Sequence, residues 1–192
     1  MKIIGLTGPT GAGKSSLKNA AENLGFKVID CDKFARKAVE KGTEGLKALV
    51  NVFGEDILLS DGNLNRKALA KKAFSSAENT EILNKTLLPF IVDLVMAECD
   101  SEYVLLDAPT LFESGLNAKC DATIAVLADK KTRLSRICER DSISKDEAIL
   151  RINAGKTDDF YKENADYIIY NNGDLELLNN NFLYILKTVE ER

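Results

Sequence analysis

The sequence predicts an α/β fold in which one parallel sheet of five strands lies between layers of helices, three layers in all. Three observations predict it. Short apolar runs at 2–7, 26–30, 103–107, 122–127 and 167–170 are separated by stretches with helical patterning. Strands alternating with helices in this way build parallel sheets. The runs at 103–107 and 122–127 are continuously apolar, as strands buried on both faces are. A glycine-rich segment, Gly8-Pro9-Thr10-Gly11-Ala12-Gly13-Lys14-Ser15, joins the first run to the first helical stretch.

The run 2–7 carries one positive charge and meets glycine early, so it reads as a first strand and not as a secretory leader. A helix over 15–24 is closed by Gly25, and 26–30 follows as a strand. A helix is expected from Asp32 to about residue 41. The stretch 42–62 holds a helix and the turn Ser60-Asp61-Gly62-Asn63. Three successive helices are expected at 65–74, 77–88 and 89–99, with Pro89 opening the third. After the strands at 103–107 and 122–127 come helices at 130–140 and 144–154. The second is opened by the capping box Ser144-x-x-Glu147. A strand at 167–170 and a helix at 175–191 complete the chain. One domain, 1–192, is expected. The strand-free stretch at about 42–99 is too long for a simple crossover and reads as a helical insertion that could carry a substrate pocket. The region at about 136–162 reads as a lid.

Composition narrows the function. Hydrophobic residues make up 45% and charged residues 29% of the 192 positions, ordinary for a globular chain. No apolar run approaches the roughly 18 residues that span a bilayer. The net charge is -4, which disfavours general nucleic-acid binding. The four cysteines are scattered with no Cys-x-x-Cys pair, as in a reducing cytosol. There is no histidine. That excludes Ser-His-Asp and Cys-His catalysis and every His-based metal site, leaving carboxylates, lysine or water to move protons.

The segment from Gly8 to Ser15 fits G-x-x-x-x-G-K-[ST], which makes the expected architecture a three-layer P-loop NTPase fold. Its backbone N–H groups cradle phosphate oxygens, Lys14 reaches the β and γ phosphates, and the Ser15 hydroxyl binds magnesium. The start of the following helix adds its positive dipole end. Gly11, Ala12, Gly13, Lys14, Ser15 and Ser16 are therefore the expected ATP contacts. Asp107 ends an apolar strand, where such proteins order Mg²⁺; it also suits a cap for the turn at Ala108-Pro109. Asp30 and Asp32 follow the second strand, at the carboxyl edge where parallel sheets bind ligands. Asp32 fits either a general base or the N-cap of the next helix. Arg136 and Arg140 share a helix face and Arg151 follows. They are either solvated surface or lid arginines over a transferring phosphoryl group.

The chain resembles the dephospho-coenzyme A kinase family over nearly its whole length. The residues that carry the resemblance are 5–8 through Lys14-Ser15, then 25–36 with Val28-Ile29-Asp30-Cys31-Asp32 and Ala35-Arg36. Further matches are 61–66, Asp107-Ala108-Pro109-Thr110-Leu111-Phe112-Glu113, Arg140-Asp141, Arg151-Ile152, Ala165-Asp166 and Asn171-Asn172-Gly173. The resemblance implies transfer from ATP to the ribose 3′-hydroxyl of dephospho-CoA in the cytoplasm, with magnesium. It implies Asp32 as general base, with Lys14 and Arg140 as catalytic partners and Arg140 and Arg151 on the phosphates. It also implies Arg36, Arg66 and the loop Leu111-Phe112-Glu113 near the acceptor, and Asn172 near the adenine. Three positions depart from the family's usual pattern: Leu88 stands for histidine before Pro89, Thr110 for a hydrophobic residue, and Gly155 for glutamine. A nucleoside or nucleotide kinase needs the same parts and is the alternative within this architecture. A guanine-selective switch is not: Asn84-Lys85-Thr86-Leu87 lacks the aspartate that pairs with the guanine edge. P-loop kinases generally have the sheet order 2-3-1-4-5, and that order is expected here.

Overall fold

The computed structural model describes residues 1–191. Strand β1 (Lys2–Thr7) leads to helix α1 (Lys14–Asn23), β2 (Lys27–Asp30), α2 (Cys31–Lys37), α3 (Glu44–Phe53), α4 (Arg66–Ala73) and α5 (Ala77–Ala97). Then follow β3 (Tyr103–Asp107), β4 (Ala122–Leu127), α6 (Lys130–Asp141), α7 (Lys145–Ala154), α8 (Asp158–Asn164), β5 (Tyr167–Tyr170) and α9 (Leu175–Glu190). The five strands form one sheet in the order β2-β3-β1-β4-β5, every pair parallel. This is the expected order and class.

Strand periodicity divides the core. Ile4, Leu6 and Leu105 point to one face, where they pack with Leu17 and Ala21 of α1 and Phe182 and Ile185 of α9. Ile3, Val104 and Leu106 point to the other, against Ile91 and Val95 of α5. Alternate residues on a strand face opposite sides, so a buried central strand must be apolar throughout. A smaller apolar cluster, including Val39, Leu49, Phe53, Ile57 and Leu69, holds α3 and α4 against α5.

Three local expectations need correction. The break at Leu88-Pro89 does not occur, because α5 runs unbroken with Pro89 inside it. An interior proline costs about 3 kcal/mol. Ile91 and Val95 are buried on one side of it, and Leu87, Leu88 and Phe90 pack around it. Full burial stabilises by about 1.5–3 kcal/mol per large apolar side chain, so the packing outweighs the proline. Helix α2 ends at Lys37, short of residue 41. There the chain turns so that the Thr43 hydroxyl donates to Ala38 O at 2.8 Å and accepts from Leu46 N at 3.2 Å as the N-cap of α3. Helix α8, in a stretch to which the sequence reading assigns no element, starts where Thr157 caps Phe160 N at 3.2 Å. The capping box at Ser144 and Glu147 forms as expected.

Candidate active site

The loop between β1 and α1 is shaped by positions that only glycine fills. A Cβ on Gly8 (φ 138) would lie 2.2 Å from Val126 O, and one on Gly13 (φ 87) would lie 2.3 Å from Asn171 Nδ2. Gly13 is the N-cap of α1, and no side chain caps the helix. The first N–H groups of α1 therefore have no side-chain acceptor, which makes that end an anion site.

Side chains of α6 and of Asn171 hold the loop's carbonyls. Arg133 Nε donates to Thr10 O at 3.0 Å, Arg136 Nη1 to Ala12 O at 3.2 Å, and Asn171 Nδ2 to Gly13 O at 3.2 Å. Arg136 Nη1 also donates to Asn171 O at 2.9 Å. Arg133 is buried, and its Nη1 pairs with Asp158 Oδ1 at 3.1 Å. Lys14 Nζ donates to Gly8 O at 2.8 Å. Burial pushes the Lys14 ammonium below its usual pKa, while the Asp107 and Asp32 carboxylates oppose that shift.

A cavity of about 740 Å³ opens over the loop. Lys14, Ser15 and Ser16 line it from the loop side, Asp107 from the sheet, and Arg140, Arg151 and Gly155 from α6 and α7. Arg140 and Arg151 are tied together. Arg140 donates through Nε and Nη2 to Asp141 at 2.7 and 2.9 Å, and Arg151 Nη1 donates to the same carboxylate. Those hydrogen bonds hold the Asp141 carboxyl below its usual range.

Asp107 caps no turn. Lys18 Nζ donates to its Oδ2 at 2.8 Å, and its Oδ1 is buried without a partner. A hard cation with oxygen ligands fits there, with the Ser15 hydroxyl on the same cavity wall. Among the described residues no three His, Cys, Asp or Glu side chains cluster as a metal cage. Mg²⁺ usually takes one or two carboxylates and fills its other positions with phosphate and water, and Asp107 and Ser15 offer oxygen donors of that kind.

The competition between Asp30 and Asp32 is resolved locally. Asp30 Oδ1 accepts from Asp32 N at 3.1 Å and is the N-cap of α2. Asp32, in the first turn, is not the cap. It lines a second cavity of about 260 Å³ with Arg36, Arg66, Leu64, Leu83 and Leu87. Although the residue is exposed, loss of water in the cleft raises its carboxyl pKa, and the Asp30 and Asp107 carboxylates raise it further. Arg36 and Lys14 pull the other way.

The loop at 111–113 departs from expectation. Leu111 is fully buried, and a Cβ on Gly5 would lie 2.7 Å from its Cδ2. It fills the space that glycine leaves on β1, so its side chain belongs to the core. Phe112 packs edge-on to Phe160 at 6.0 Å. Glu113 lies near Tyr161, whose phenol burial pushes up to about 12 with help from that carboxylate. None of the three lines the Asp32 cavity. Asn172 is exposed and accepts from Asp129 N at 2.9 Å. Leu88 packs over Gly115.

Sequence reasoning gave no role to Lys18, Arg133, Asn171 or Asp141, although Asn171 and Asp141 stand in runs that carry the resemblance, and it left Arg136 open between surface and lid; Arg136 lines the cavity and also holds the loop. Helical spacing held the signal for two of them. Lys18 lies four residues after Lys14, and Arg133 three before Arg136, so each shares a helix face with a residue already singled out.

A family model described as dephospho-CoA kinase (CoaE) matches residues 2–176. A dephospho-CoA kinase of Pseudoalteromonas translucida is 40% identical over 188 residues, covering 96% of this chain and 90% of that protein. One from Listeria monocytogenes serotype 4b is 39% identical over 192 residues, covering 97% and 96%. A crystal structure from Thermus thermophilus superposes with a TM-score of 0.76 at 28% identity, covering 97% of this chain and 96% of that one. With that match along nearly its full length, the chain belongs to the dephospho-CoA kinase family.

Proposed function

We infer that the two cavities carry out one reaction: phosphoryl transfer from ATP in the larger one to the ribose 3′-hydroxyl of dephospho-CoA at the smaller one, giving CoA and ADP. The observation that carries this reading is Asp32, a carboxylate on the wall of the acceptor cavity that feels the charges of Lys14 and Asp107 in the phosphate cavity. A proton acceptor belongs at such a junction, beside the attacking hydroxyl.

The roles follow. The loop N–H groups, Lys14, Ser15 and Ser16 hold the β and γ phosphates of ATP, and Asn172 lies toward the adenine. Ser15 and Asp107 would hold Mg²⁺, which when bound neutralises charge on those phosphates. Asp32 takes the proton from the 3′-hydroxyl. Arg140 and Arg151 exchange Asp141 for phosphate oxygens and stabilise the charge that spreads over the transferring group. Arg36 and Arg66 give the acceptor's diphosphate its cationic contacts, in a chain whose net charge of -4 offers no general attraction. The four free cysteines and the use of ATP are in keeping with a cytoplasmic enzyme.

The test is ADP release with ATP and magnesium against dephospho-CoA, AMP, CMP, UMP and dTMP, with the product position assigned by NMR. Dephospho-CoA should be used far best, because remote binding of its pantetheine arm helps hold the hydroxyl in line. Faster release with any nucleoside monophosphate would overturn the acceptor and establish a nucleotide kinase instead.

A further inference from the structure

Asp107 stands at the floor of the phosphate cavity, its backbone held in register with Leu6 on one side and Asp30 on the other. Its side chain is only 13% exposed. One carboxylate oxygen, Oδ2, is engaged by Lys18 Nζ at 2.8 Å. The other, Oδ1, is buried and unpartnered. The side chain that holds the carboxylate is thus Lys18. Lys14 is engaged with Gly8 O, and Lys18 is a full turn further along α1 on the same face, also lining the cavity.

We propose that Lys18 is a positioning residue of the metal site. It grips Asp107 by Oδ2 and by its charge limits how tightly the site takes a divalent cation. The proposal rests on Asp107 being the carboxylate on the magnesium side. An ammonium at hydrogen-bond distance offsets much of the carboxylate's charge, and it repels a second cation sharing that carboxylate. Replacing Lys18 with a neutral side chain of similar length therefore strengthens metal binding.

The test is a titration of Mn²⁺ by electron spin resonance on the full chain saturated with a non-hydrolysable ATP analogue, a readout independent of turnover. Lys18→Met should bind Mn²⁺ about tenfold more tightly, or ~1.4 kcal/mol. Lys18→Arg keeps the charge and should stay within about twofold of the parent. In an Asp107→Asn background the Lys18→Met change should have no further effect on Mn²⁺, since the pair acts as a unit. Thermal melts establish that each variant is folded. Unchanged or weaker Mn²⁺ binding in folded Lys18→Met overturns the proposal, as do additive effects in the double variant. A loss of metal-free analogue binding with unaltered Mn²⁺ affinity also overturns it, and assigns Lys18 to the phosphates. If the parent complex takes up no Mn²⁺ at all, the metal reading beneath the proposal is what fails.

Discussion

Replacing Asp32 by asparagine separates proton transfer from helix capping, because the cap has another owner. Asp30 supplies the capping oxygen for α2, at 3.1 Å from Asp32 N. Removing a cap costs about 0.5–2 kcal/mol, so Asp30→Ala should show that loss and Asp32→Asn should not. Ionised Asp32 is disfavoured in the folded chain, since loss of water and the nearby Asp30 and Asp107 carboxylates raise its pKa. A carboxyl raised on folding opposes stability at pH values above its folded pKa, and that cost vanishes as pH falls. At neutral pH the neutral asparagine should therefore leave stability the same or slightly higher. Turnover should fall by about 10²–10⁴-fold, as general-base losses do, and toward the lower end because phosphoryl transfer has a loose transition state. In the parent enzyme kcat/KM should rise with pH on a limb lying above the ordinary aspartate range, and the variant should lose that limb. Coupled ADP release across pH, with a thermal melt of the same samples, reads all three quantities. Undiminished turnover per folded molecule would refute the assignment of Asp32 as base, and a melting loss as large as that of Asp30→Ala would refute the division of labour.

Lys14→Ala removes the ammonium that donates to Gly8 O and lines the phosphate cavity. Its turnover should fall by about 10²–10³-fold with the fold intact by circular dichroism, and near-normal turnover would remove ATP from this cavity. Leu111→Ala opens a hole against Gly5 and should cost about 2–5 kcal/mol in urea denaturation; a cost below about 1 kcal/mol would show that the side chain is not the core element described here.

The sheet and the nucleotide loop were legible because their signals are local. The apolar run 103–107 has the form of a buried strand, and the glycines at 8, 11 and 13 announce backbone turned toward an anion. The arginines were not legible in the same way. Nothing in the spacing of Arg133, Arg136 and Arg140 tells which will reach carbonyls 123 or 124 residues earlier in the chain and which will face the cleft. That depends on how α6 lies across the sheet edge. The packing role of Leu111 was hidden for a related reason. Its place in a functional run suggested contact with the acceptor, while the deciding fact was the missing Cβ of Gly5, 106 positions away in the chain. Asp30 and Asp32 were separable only once the first turn of α2 showed which side chain met a backbone N–H.

The grip of α6 on the nucleotide loop has a consequence for how the protein can be divided into interchangeable parts. The first half of that helix is bound to the loop through Arg133 and Arg136, while its last turn carries Arg140. Its C-cap is Ser142, the one non-glycine residue among those described with a positive φ, at 53°. The natural seam therefore lies at Ser142, where the backbone already turns out of the helix. A graft that exchanges α7 and α8 beyond it keeps the loop's anchoring arginines, although it must bring an acidic residue in place of Asp158 for Arg133. A graft that begins at Lys130 imports a foreign set of anchors and must carry along its own versions of the loop and Asn171.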